Sequence, residues 1–339
     1  MANERKIKLG ISIGDLHGIG FEVIIKTFKD PLIMRKCIPI IFAPYNICLE
    51  YKNLITEDNT SLNKIDSINN AEADQINILE STIYHHNLSI GKPSEASGEI
   101  AFDSLKNACI YLENKEIDVL VTAPIDKYQI RKKIPNFIGH TEYLESKFSG
   151  SSLMMMVSKA MKIAFVTGHV SLLNVPKNIN EKKIIDQTIR LKNSLKSDFN
   201  IQNPKIAILG LNPHAGENGM LGDEEKSIIS PAIKKLNEKH NVLSFGPFPA
   251  DSFFSENNLN SFDGVLAMYH DQGLIPFKTL SFSEGVNFTA GLNIIRTSPV
   301  HGVAYDIGGK KLANENSFKS AVVSACRIFE NRSTNNNQY

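Results

Sequence analysis

The sequence predicts an α/β protein with a largely parallel sheet and helices on both of its faces. Short apolar runs of strand length alternate with longer segments of helical periodicity, and this alternation is typical of parallel α/β folds. Several runs, such as IPIIFA and IAILGL, are apolar throughout, as expected of strands that are covered on both faces. With 339 residues, the chain is long enough for one large domain or for two.

The individual elements follow from these patterns. The apolar runs predict strands at 7–13, 38–43, 118–122, 153–157, 162–166, 205–209, 241–245 and 264–267. The periodic segments between them predict helices at 20–29, 98–114, 141–148, 179–196, 223–239 and 315–330. The polar stretch 52–74 is predicted to be a loop or a peripheral hairpin, and the tail 331–339 is predicted to fray. No linker rich in Pro, Gly or Ser separates domains, so two domains would be interwoven.

The composition excludes several classes of protein. The 37 basic and 36 acidic residues leave a formal net charge of +1, which gives no general attraction to nucleic acids or anionic membranes. The apolar runs are too short to span a bilayer, and the N-terminus lacks the features of a signal peptide. The four cysteines, at positions 37, 48, 109 and 326, form no C-x-x-C pair. Buried reduced thiols in a cytoplasmic protein are therefore expected.

A glycine-rich turn, SIGDLHGIGFEVIIKTF, follows the first strand. The spacing of Gly14, Gly18 and Gly20 matches neither the G-x-G-x-x-G fingerprint nor a Walker loop. Backbone N–H groups at the start of the next helix could bind an anion, but this stretch alone favours a tight turn that needs glycine φ values. His17 is interpreted as a loop residue.

Three histidines share one sequence context. His169, His214 and His270 each follow an apolar strand by a few residues. Because the carboxyl ends of strands face the ligand crevice of an open α/β sheet, three imidazoles there could form a metal site with open positions for water or substrate. Hydrogen bonding within loops is the alternative, and the residues leave both open. Three other histidines lie among polar residues and are interpreted as surface groups: His85, His86 and His240.

Two further segments carry candidate residues. In GLNPHAGENGMLGDEE, the acidic residues Asp223, Glu224 and Glu225 are interpreted as first-turn residues that suit the dipole of the next helix. In NFIGHTEYLESKF, Thr141 could cap the following helix or could, like His140, contact a substrate anion, and both interpretations stay open. The polar residues 269–273, in AMYHDQGLIPFK, are interpreted as a loop at a strand end.

Longer motifs run in order through nearly the whole chain, over residues 7–310. They are GDLHGIGFE, VTAPIDK, GHTEYL, GLNPHAGENGMLGDEE, GPFPADSFF, AMYHDQGLIPFK and GVNFTAGLNIIRTSPVHGVAYDIGGK. Together they resemble the 4-hydroxythreonine-4-phosphate dehydrogenase (PdxA) family of vitamin B6 biosynthesis. Two departures are modest: GDLHGIG stands where many relatives have GDPAGIG, and TGHVSL stands where TTHIPL is common. Both leave the candidate residues in place, and both could change how the substrate fits.

The resemblance implies a homodimeric, metal-dependent, NAD(P)-linked enzyme with an isocitrate/isopropylmalate-dehydrogenase-like fold. Two interwoven α/β/α domains with an active-site cleft between them are then expected, at 1–135 with 298–339 and at 136–297. The implied reaction oxidises 4-phosphooxy-L-threonine at C3 and decarboxylates the product to 3-amino-2-oxopropyl phosphate, with NAD or NADP as the hydride acceptor. Zinc or cobalt suits three histidine ligands, and magnesium or manganese is also considered.

The resemblance also assigns residues by motif. The implied metal ligands are His169, His214 and His270, with His270 expected from the partner subunit of a shared active site. The implied substrate contacts are His140, Thr141, Lys278, Asn287 and Arg296, of which Lys278 and Arg296 would hold the phosphate. The cofactor candidates are His301, Gly302, Asp306 and Asn314. For proton transfer, Asp251 and Asp271 are the candidates; one could act as the base while the other orients a histidine.

Three competing functions are considered. A sister dehydrogenase acting on erythronate or threonate 4-phosphate would keep the same metal and cofactor residues. A phosphate acyltransferase of related fold would need neither three histidines at strand ends nor the 301–314 loop. A non-catalytic metal-binding protein would bind metal without a nucleotide.

Overall fold

The computed structural model describes residues 5–55, 60–80 and 88–336, and the chain forms two compact units. The first unit comprises Met1–Gly150 and Leu292–Phe329, and the second comprises Ser151–Gly291 and Glu330–Tyr339. The boundaries therefore differ from those expected at 135 and 297. The reason is that Phe137, Leu144 and Phe148 are buried in the hydrophobic core of the first unit, which retains the segment that carries His140.

Up to residue 150, strands and helices alternate in the first unit. The elements are β1 (Ile7–Ser12), α1 (Gly20–Phe28), α2 (Pro31–Met34), β2 (Cys37–Phe42), α3 (Tyr45–Ile55), β3 (Leu62–Ile65), β4 (Ile76–Leu79), α4 (Glu95–Glu113), β5 (Val119–Thr122), α5 (Lys127–Lys133) and α6 (His140–Lys147).

The second unit repeats the alternation, and the chain then returns to the first. The elements of the second unit are β6 (Gly150–Val157), β7 (Lys162–Phe165), α7 (Glu181–Ser197), β8 (Lys205–Leu209), α8 (Ser230–Lys239), β9 (Leu243–Phe248), α9 (Ala250–Phe253), α10 (Glu256–Ser261), β10 (Gly264–Ala267), α11 (His270–Ser281) and β11 (Val286–Leu292). The returning elements are β12 (Arg296–Pro299) and α12 (Asn316–Asn336), and the end of α12 lies in the second unit.

The strand order confirms the α/β class with a largely parallel sheet. The first unit has the order β3-β4-β2-β1-β5-β12, and all of these neighbours pair in parallel. The second has the order β11-β6-β7-β10-β8-β9, in which β7, β10, β8 and β9 are parallel and β6 is antiparallel to β7. Strands β5 and β10 are buried along their whole length, as their apolar sequences predict.

Three local predictions were wrong. Within the described part of 52–74, residues 62–65 form the strand β3, which pairs in parallel with β4 and so belongs to neither a loop nor a hairpin; residues 56–59 lie outside the described part. The tail is not frayed from residue 331, because α12 continues to Asn336; residues 337–339 lie outside the described part. The polar residues 269–273 are not a loop either, since α11 begins at His270. Gly273 and Pro276 lie inside that helix, and because both residue types are unfavourable in helix interiors, the sequence does not indicate a helix there.

The structure also bears on cysteine state and membrane insertion. All four cysteines are buried and none forms a disulfide, and burial raises the pKa of the Cys109 thiol to about 12. Among the described residues, no helix combines the length and the apolar character that a bilayer span requires.

Candidate functional site

The three candidate metal ligands follow three adjacent parallel strands. His169 follows β7, His270 follows β10 and His214 follows β8, and β10 pairs with both of the other strands. All three histidines therefore lie beyond the carboxyl edge of one parallel sheet. The ring centres of His169 and His270 are 5.4 Å apart. Two imidazoles on one tetrahedral ion have ring centres roughly 5 Å apart, so these two rings of the same chain have a spacing that would suit a divalent cation held within one subunit.

His270 is oriented by its neighbour in the chain. Its Nδ1 donates to Oδ1 of Asp271 at 2.7 Å, because a carboxylate can only accept. The proton on Nδ1 leaves Nε2 with a lone pair for a metal ion. The Asp271 side chain is 72% exposed, so it can form this bond without a large desolvation cost.

Two further side chains form hydrogen bonds between the ends of these three strands. The sequence analysis did not single them out. Gln272 Oε1 accepts from the amide of Met268 at 2.7 Å, and its Nε2 donates to the carbonyl of Gly210 at 2.6 Å. Thr167 Oγ1 donates to the carbonyl of Met268 at 2.8 Å. These bonds join the ends of β7, β10 and β8. Gln272 lies inside the AMYHDQGLIPFK motif, and its place in that motif could have marked it as a candidate residue.

His214 begins a left-handed turn. Positive φ angles occur at the six consecutive residues 214–219, with values of 52°, 50°, 81°, 42°, 57° and 95° in that order. A residue with a Cβ loses roughly 1–2 kcal/mol in this conformation, so neighbouring contacts must impose it.

One of those contacts corrects the interpretation of Glu225 as a helix-capping residue. Glu225 is buried, and its carboxylate accepts from the amides of Leu211 and Asn212, which precede the left-handed turn. It therefore holds the chain that leads to His214 and does not serve the helix that follows it.

The described residues of one chain do not bring three metal ligands together. Within residues 5–55, 60–80 and 88–336, no three His, Cys, Asp or Glu side chains are placed to hold a metal ion together. His169 and His214 are both exposed. The supply of His270 by a partner subunit stays a prediction.

The other candidates in the second unit are spread over three elements. Asp251 is exposed in the first turn of α9, and Lys278 is half-buried in the last turn of α11. Asn287 is the second residue of β11.

In the first unit, β12 begins with a buried cation. Arg296 is 2% exposed, and its Nε and Nη2 donate to Thr122 Oγ1 at 3.1 and 2.6 Å. Burial lowers the pKa of Arg296 to about 10, an effect that Cys109 and Glu142 partly offset. The guanidinium therefore keeps its charge at neutral pH.

His140 lies in the electrostatic field of Arg296. Burial, followed by the positive charges of Arg296 and Lys127, lowers the pKa of His140 well below its usual value, so the ring is neutral. It is the first residue of α6, and Thr141 is the second. The N-cap residue is Gly139, so the capping interpretation of Thr141 was wrong.

Three candidate residues present buried polar atoms without a partner. In the described part of the chain, seven buried side-chain atoms lack a hydrogen-bond partner, and they include His140 Nε2, Asn287 Oδ1 and His301 Nε2. Native proteins leave few such atoms, because each costs about 1–3 kcal/mol. These three atoms are therefore positions where a ligand would complete the hydrogen bonding.

His301 has a defined tautomer. Its Nδ1 lies 3.1 Å from the carbonyl of Gly302 and must carry the proton, since a carbonyl only accepts. Burial lowers the pKa of His301, and the bond to Gly302 partly offsets this, so Nε2 is an acceptor. An added Cβ on Gly302 would meet no atom within 4 Å. Asp306 is exposed, and Asn314 Oδ1 accepts from the amide of Asn316 at the start of α12.

Side-chain hydrogen bonds connect the 301–314 loop to the first glycine turn, and the residues that form them were not candidates in the sequence analysis. The hydroxyl of Tyr305 lies 2.6 Å from Asp15 Oδ2 and 3.2 Å from Asp126 Oδ2, and Ser97 Oγ donates to Asp15 at 2.9 Å. Burial raises the pKa of the Asp15 carboxyl, while these bonds and that of the His17 amide oppose the rise. Asp15, Asp126 and Tyr305 all lie inside quoted motifs, but their proximity depends on the fold.

Close packing explains one glycine of that turn. Gly14 has a φ of +68°, but Gly18 does not have a positive φ. A Cβ on Gly18 would lie 2.2 Å from the side chain of Val303 and 2.4 Å from its carbonyl oxygen. Gly18 is therefore needed for contact with the 301–314 loop, and not for φ freedom. His17 is buried, and its Nδ1 contacts the carbonyl of Lys92 at 2.8 Å.

Comparison with known proteins gives consistent matches. The family model described as Pyridoxal phosphate biosynthetic protein PdxA matches residues 35–325. A 4-hydroxythreonine-4-phosphate dehydrogenase from Bacteroides thetaiotaomicron is 42% identical over 97% of this chain and 90% of that protein. A protein named "Putative D-threonate 4-phosphate dehydrogenase" from Oceanobacillus iheyensis is 36% identical over 96% of this chain and 98% of that protein. The crystal structure of 4-hydroxythreonine-4-phosphate dehydrogenase from Klebsiella pneumoniae matches with a TM-score of 0.84 and 30% identity, covering 97% of this chain and 99% of that one.

These matches extend over nearly the whole chain and include every candidate residue from His140 to Asn314. The names of these relatives all describe dehydrogenases. The chain therefore belongs to the PdxA family of pyridoxal phosphate biosynthetic proteins and is an oxidoreductase.

Proposed function

We propose that this dehydrogenase oxidises 4-phosphooxy-L-threonine at C3 with NAD or NADP and a divalent metal ion, and that the product loses carbon dioxide to give 3-amino-2-oxopropyl phosphate. The observation that carries the proposal is the set of buried, unpartnered atoms on His140, Asn287 and His301. A substrate and a nucleotide would supply the missing partners. The names of the Bacteroides and Klebsiella relatives support this substrate.

The phosphate requires cations and neutral polar groups. Arg296 is the proposed principal partner, since its guanidinium stays charged although it is buried. Lys278 supplies a second charge, and Asn287 Oδ1 accepts from a donor without adding charge. Neutral His140 contacts the substrate through Nε2.

The proposed roles of metal ligand and proton acceptor belong to different side chains. His169, His214 and His270 are the proposed ligands of zinc or a similar cation, because an imidazole donor set suits such an ion. When bound, the cation supplies positive charge beside the reacting hydroxyl, and the nicotinamide supplies the hydride acceptor. Asp271 bonds His270 and is assigned the positioning role, which leaves Asp251 as the proposed acceptor of the hydroxyl proton.

The nucleotide is assigned to the 301–314 loop. His301 Nε2 would accept from a nucleotide N–H group, and the open space at Gly302 admits close approach of a ligand. Asp306 and Asn314 complete the proposed contacts. The hydrogen bonds from Tyr305 to Asp15 and Asp126 would hold this loop in the same position after the nucleotide dissociates.

The substrate can be tested with a panel of phosphorylated acids. NADH or NADPH formation should be fastest with 4-phosphooxy-L-threonine, compared with D-threonate and erythronate 4-phosphates, at equal metal and nucleotide concentrations. The Oceanobacillus relative makes D-threonate 4-phosphate the second candidate. A higher kcat/KM with that acid would reassign the substrate while keeping the residue roles. Family membership favours oxidation over acyl transfer.

A shared site in a homodimer can be tested by mixing inactive chains. If His270 completes the partner's site, dimers formed between His214→Ala and His270→Ala chains have one intact site of two. Random association should then restore about a quarter of the activity of the unsubstituted enzyme.

The matched control is the mixture of His169→Ala and His214→Ala chains. Both of these ligands would come from the same subunit, so neither site is restored in the mixed dimer. Absence of recovery in both mixtures would contradict the shared site and would assign all three histidines to one chain.

A further inference from the structure

Glu225 holds the segment that leads to His214. The side chain is 4% exposed, and both of its oxygens accept hydrogen bonds. Oε1 accepts from the amides of Leu211 and Asn212, each at 2.7 Å, and Oε2 accepts from Asn212 Nδ2 at 2.9 Å. Bonds to an ionised acceptor are among the stronger hydrogen bonds of a protein, so these three fix the chain immediately before His214.

Two glycines bring the backbone close to the same carboxylate. A Cβ on Gly210 would lie 3.1 Å from Glu225 Oε1, and a Cβ on Gly216 would lie 2.6 Å from Oε2. His214 lies between these glycines in the sequence. The carboxylate therefore contacts the chain both before His214 and within the left-handed turn that begins there.

The local helix geometry places Glu225 for this contact. Residues Glu225–Ile229 form a π-helical turn directly before α8. Such turns are rare and occur frequently at functional sites, because the extra residue per turn re-aims side chains. Here the π-helical turn begins with Glu225, whose buried carboxylate contacts the 211–216 segment.

We propose that Glu225 is a positioning residue that fixes the His214 turn in the geometry required for metal binding, an inference that rests on the proposed role of His214 as a ligand. A run of residues in left-handed conformation persists only where surrounding contacts impose it. Groups that orient metal ligands strongly affect affinity although they do not touch the metal. Glu225 acts on His214 through the backbone, and not through the imidazole ring.

The test is metal binding by the purified full chain carrying Glu225→Gln. Glutamine has the same size, but its NH₂ group cannot accept, so at least one of the three bonds is lost. Zinc affinity, measured by competition with a chromophoric chelator, should fall about 10- to 100-fold. Hydrogen exchange at the amides of Leu211 and Asn212 should become faster, because a neutral amide oxygen is a weaker acceptor than a carboxylate oxygen, while exchange in the buried strand β10 stays unchanged.

The matched control is Asp223→Asn, which removes the same charge two residues away. Asp223 is exposed, and the amides of Leu211 and Asn212 bond Glu225 instead. Zinc affinity should be unchanged in this variant. Should Glu225→Gln not fold, Asn212→Ala removes only the side-chain bonds at a half-buried position, and its zinc affinity should fall by a smaller factor.

The outcomes separate this inference from the metal proposal itself. Zinc binding by the unsubstituted chain with unchanged affinity in Glu225→Gln, or in Asn212→Ala if that variant is used, would overturn the positioning role alone. Absence of zinc binding by the unsubstituted chain would overturn the metal proposal, and this inference with it.

Discussion

Replacement of His214 by alanine is expected to lower kcat/KM by at least about a thousandfold, and chelation of the metal should have the same effect. Loss of a cation beside a developing alkoxide removes several kcal/mol of transition-state stabilisation, and each 1.36 kcal/mol corresponds to about a factor of ten in rate. The measurement is steady-state formation of NADH from 4-phosphooxy-L-threonine with added zinc, cobalt, magnesium or manganese, before and after treatment with a chelator.

The stability of the fold should not change with His214. The side chain is exposed, so alanine leaves no cavity, and thermal unfolding of the metal-free protein should match that of the unsubstituted chain. The control is His240→Ala, which removes another exposed histidine, at the end of α8. Turnover should be unaffected in this control. Full activity of His214→Ala, or of the chelated enzyme, would remove the metal from the proposed reaction.

The positions of the three histidines were predictable because their strands are local features of the sequence. The runs at 162–166, 205–209 and 264–267 correspond to β7, β8 and β10, and polar residues after parallel strands gather at one edge of a sheet. The ring separation of His169 and His270 agrees with that expectation. Which subunit supplies each histidine depends on assembly, which strand patterns do not encode.

The residues that fix these groups were not predictable from local patterns. Glu225 was interpreted as a helix-capping residue because an acidic first turn is common, yet its partners are 13 and 14 residues earlier in the chain. The bond between Tyr305 and Asp15 joins residues 290 apart. Such contacts follow from tertiary packing, and propensity gives no signal for them.

The segment around His140 shows a different limit. A helix was predicted at 141–148 and is observed at His140–Lys147, which is a shift of one residue. However, the prediction placed this helix in the domain of residues 136–297, whereas it belongs to the first unit. Apolar periodicity shows that Leu144 faces a core, and it does not show which core. The buried residues Phe137, Leu144 and Phe148 join the cluster that contains Leu105 and Leu120, so the first unit extends to Gly150.

Replacement of Arg296 by methionine should lower kcat/KM for the phosphorylated substrate by about a hundredfold or more, mainly through KM. A hydrogen bond to a charged group contributes about 1.5–3 kcal/mol, and a guanidinium can donate two such bonds to one phosphate. Methionine approximates the volume of the side chain and places no unpaired charge in the buried position at the start of β12.

Two comparisons distinguish loss of phosphate recognition from loss of structure. The unphosphorylated analogue, 4-hydroxy-L-threonine, lacks the proposed partner of Arg296, so its slow turnover should be nearly the same in both enzymes. Thr122→Val keeps the guanidinium but removes the hydroxyl that accepts from its Nε and Nη2, and it should raise KM by a smaller factor. Equal losses for the phosphorylated and unphosphorylated substrates would show that Arg296 supports the fold of β12 and β5, and the phosphate would then need another principal partner, of which Lys278 is the next candidate.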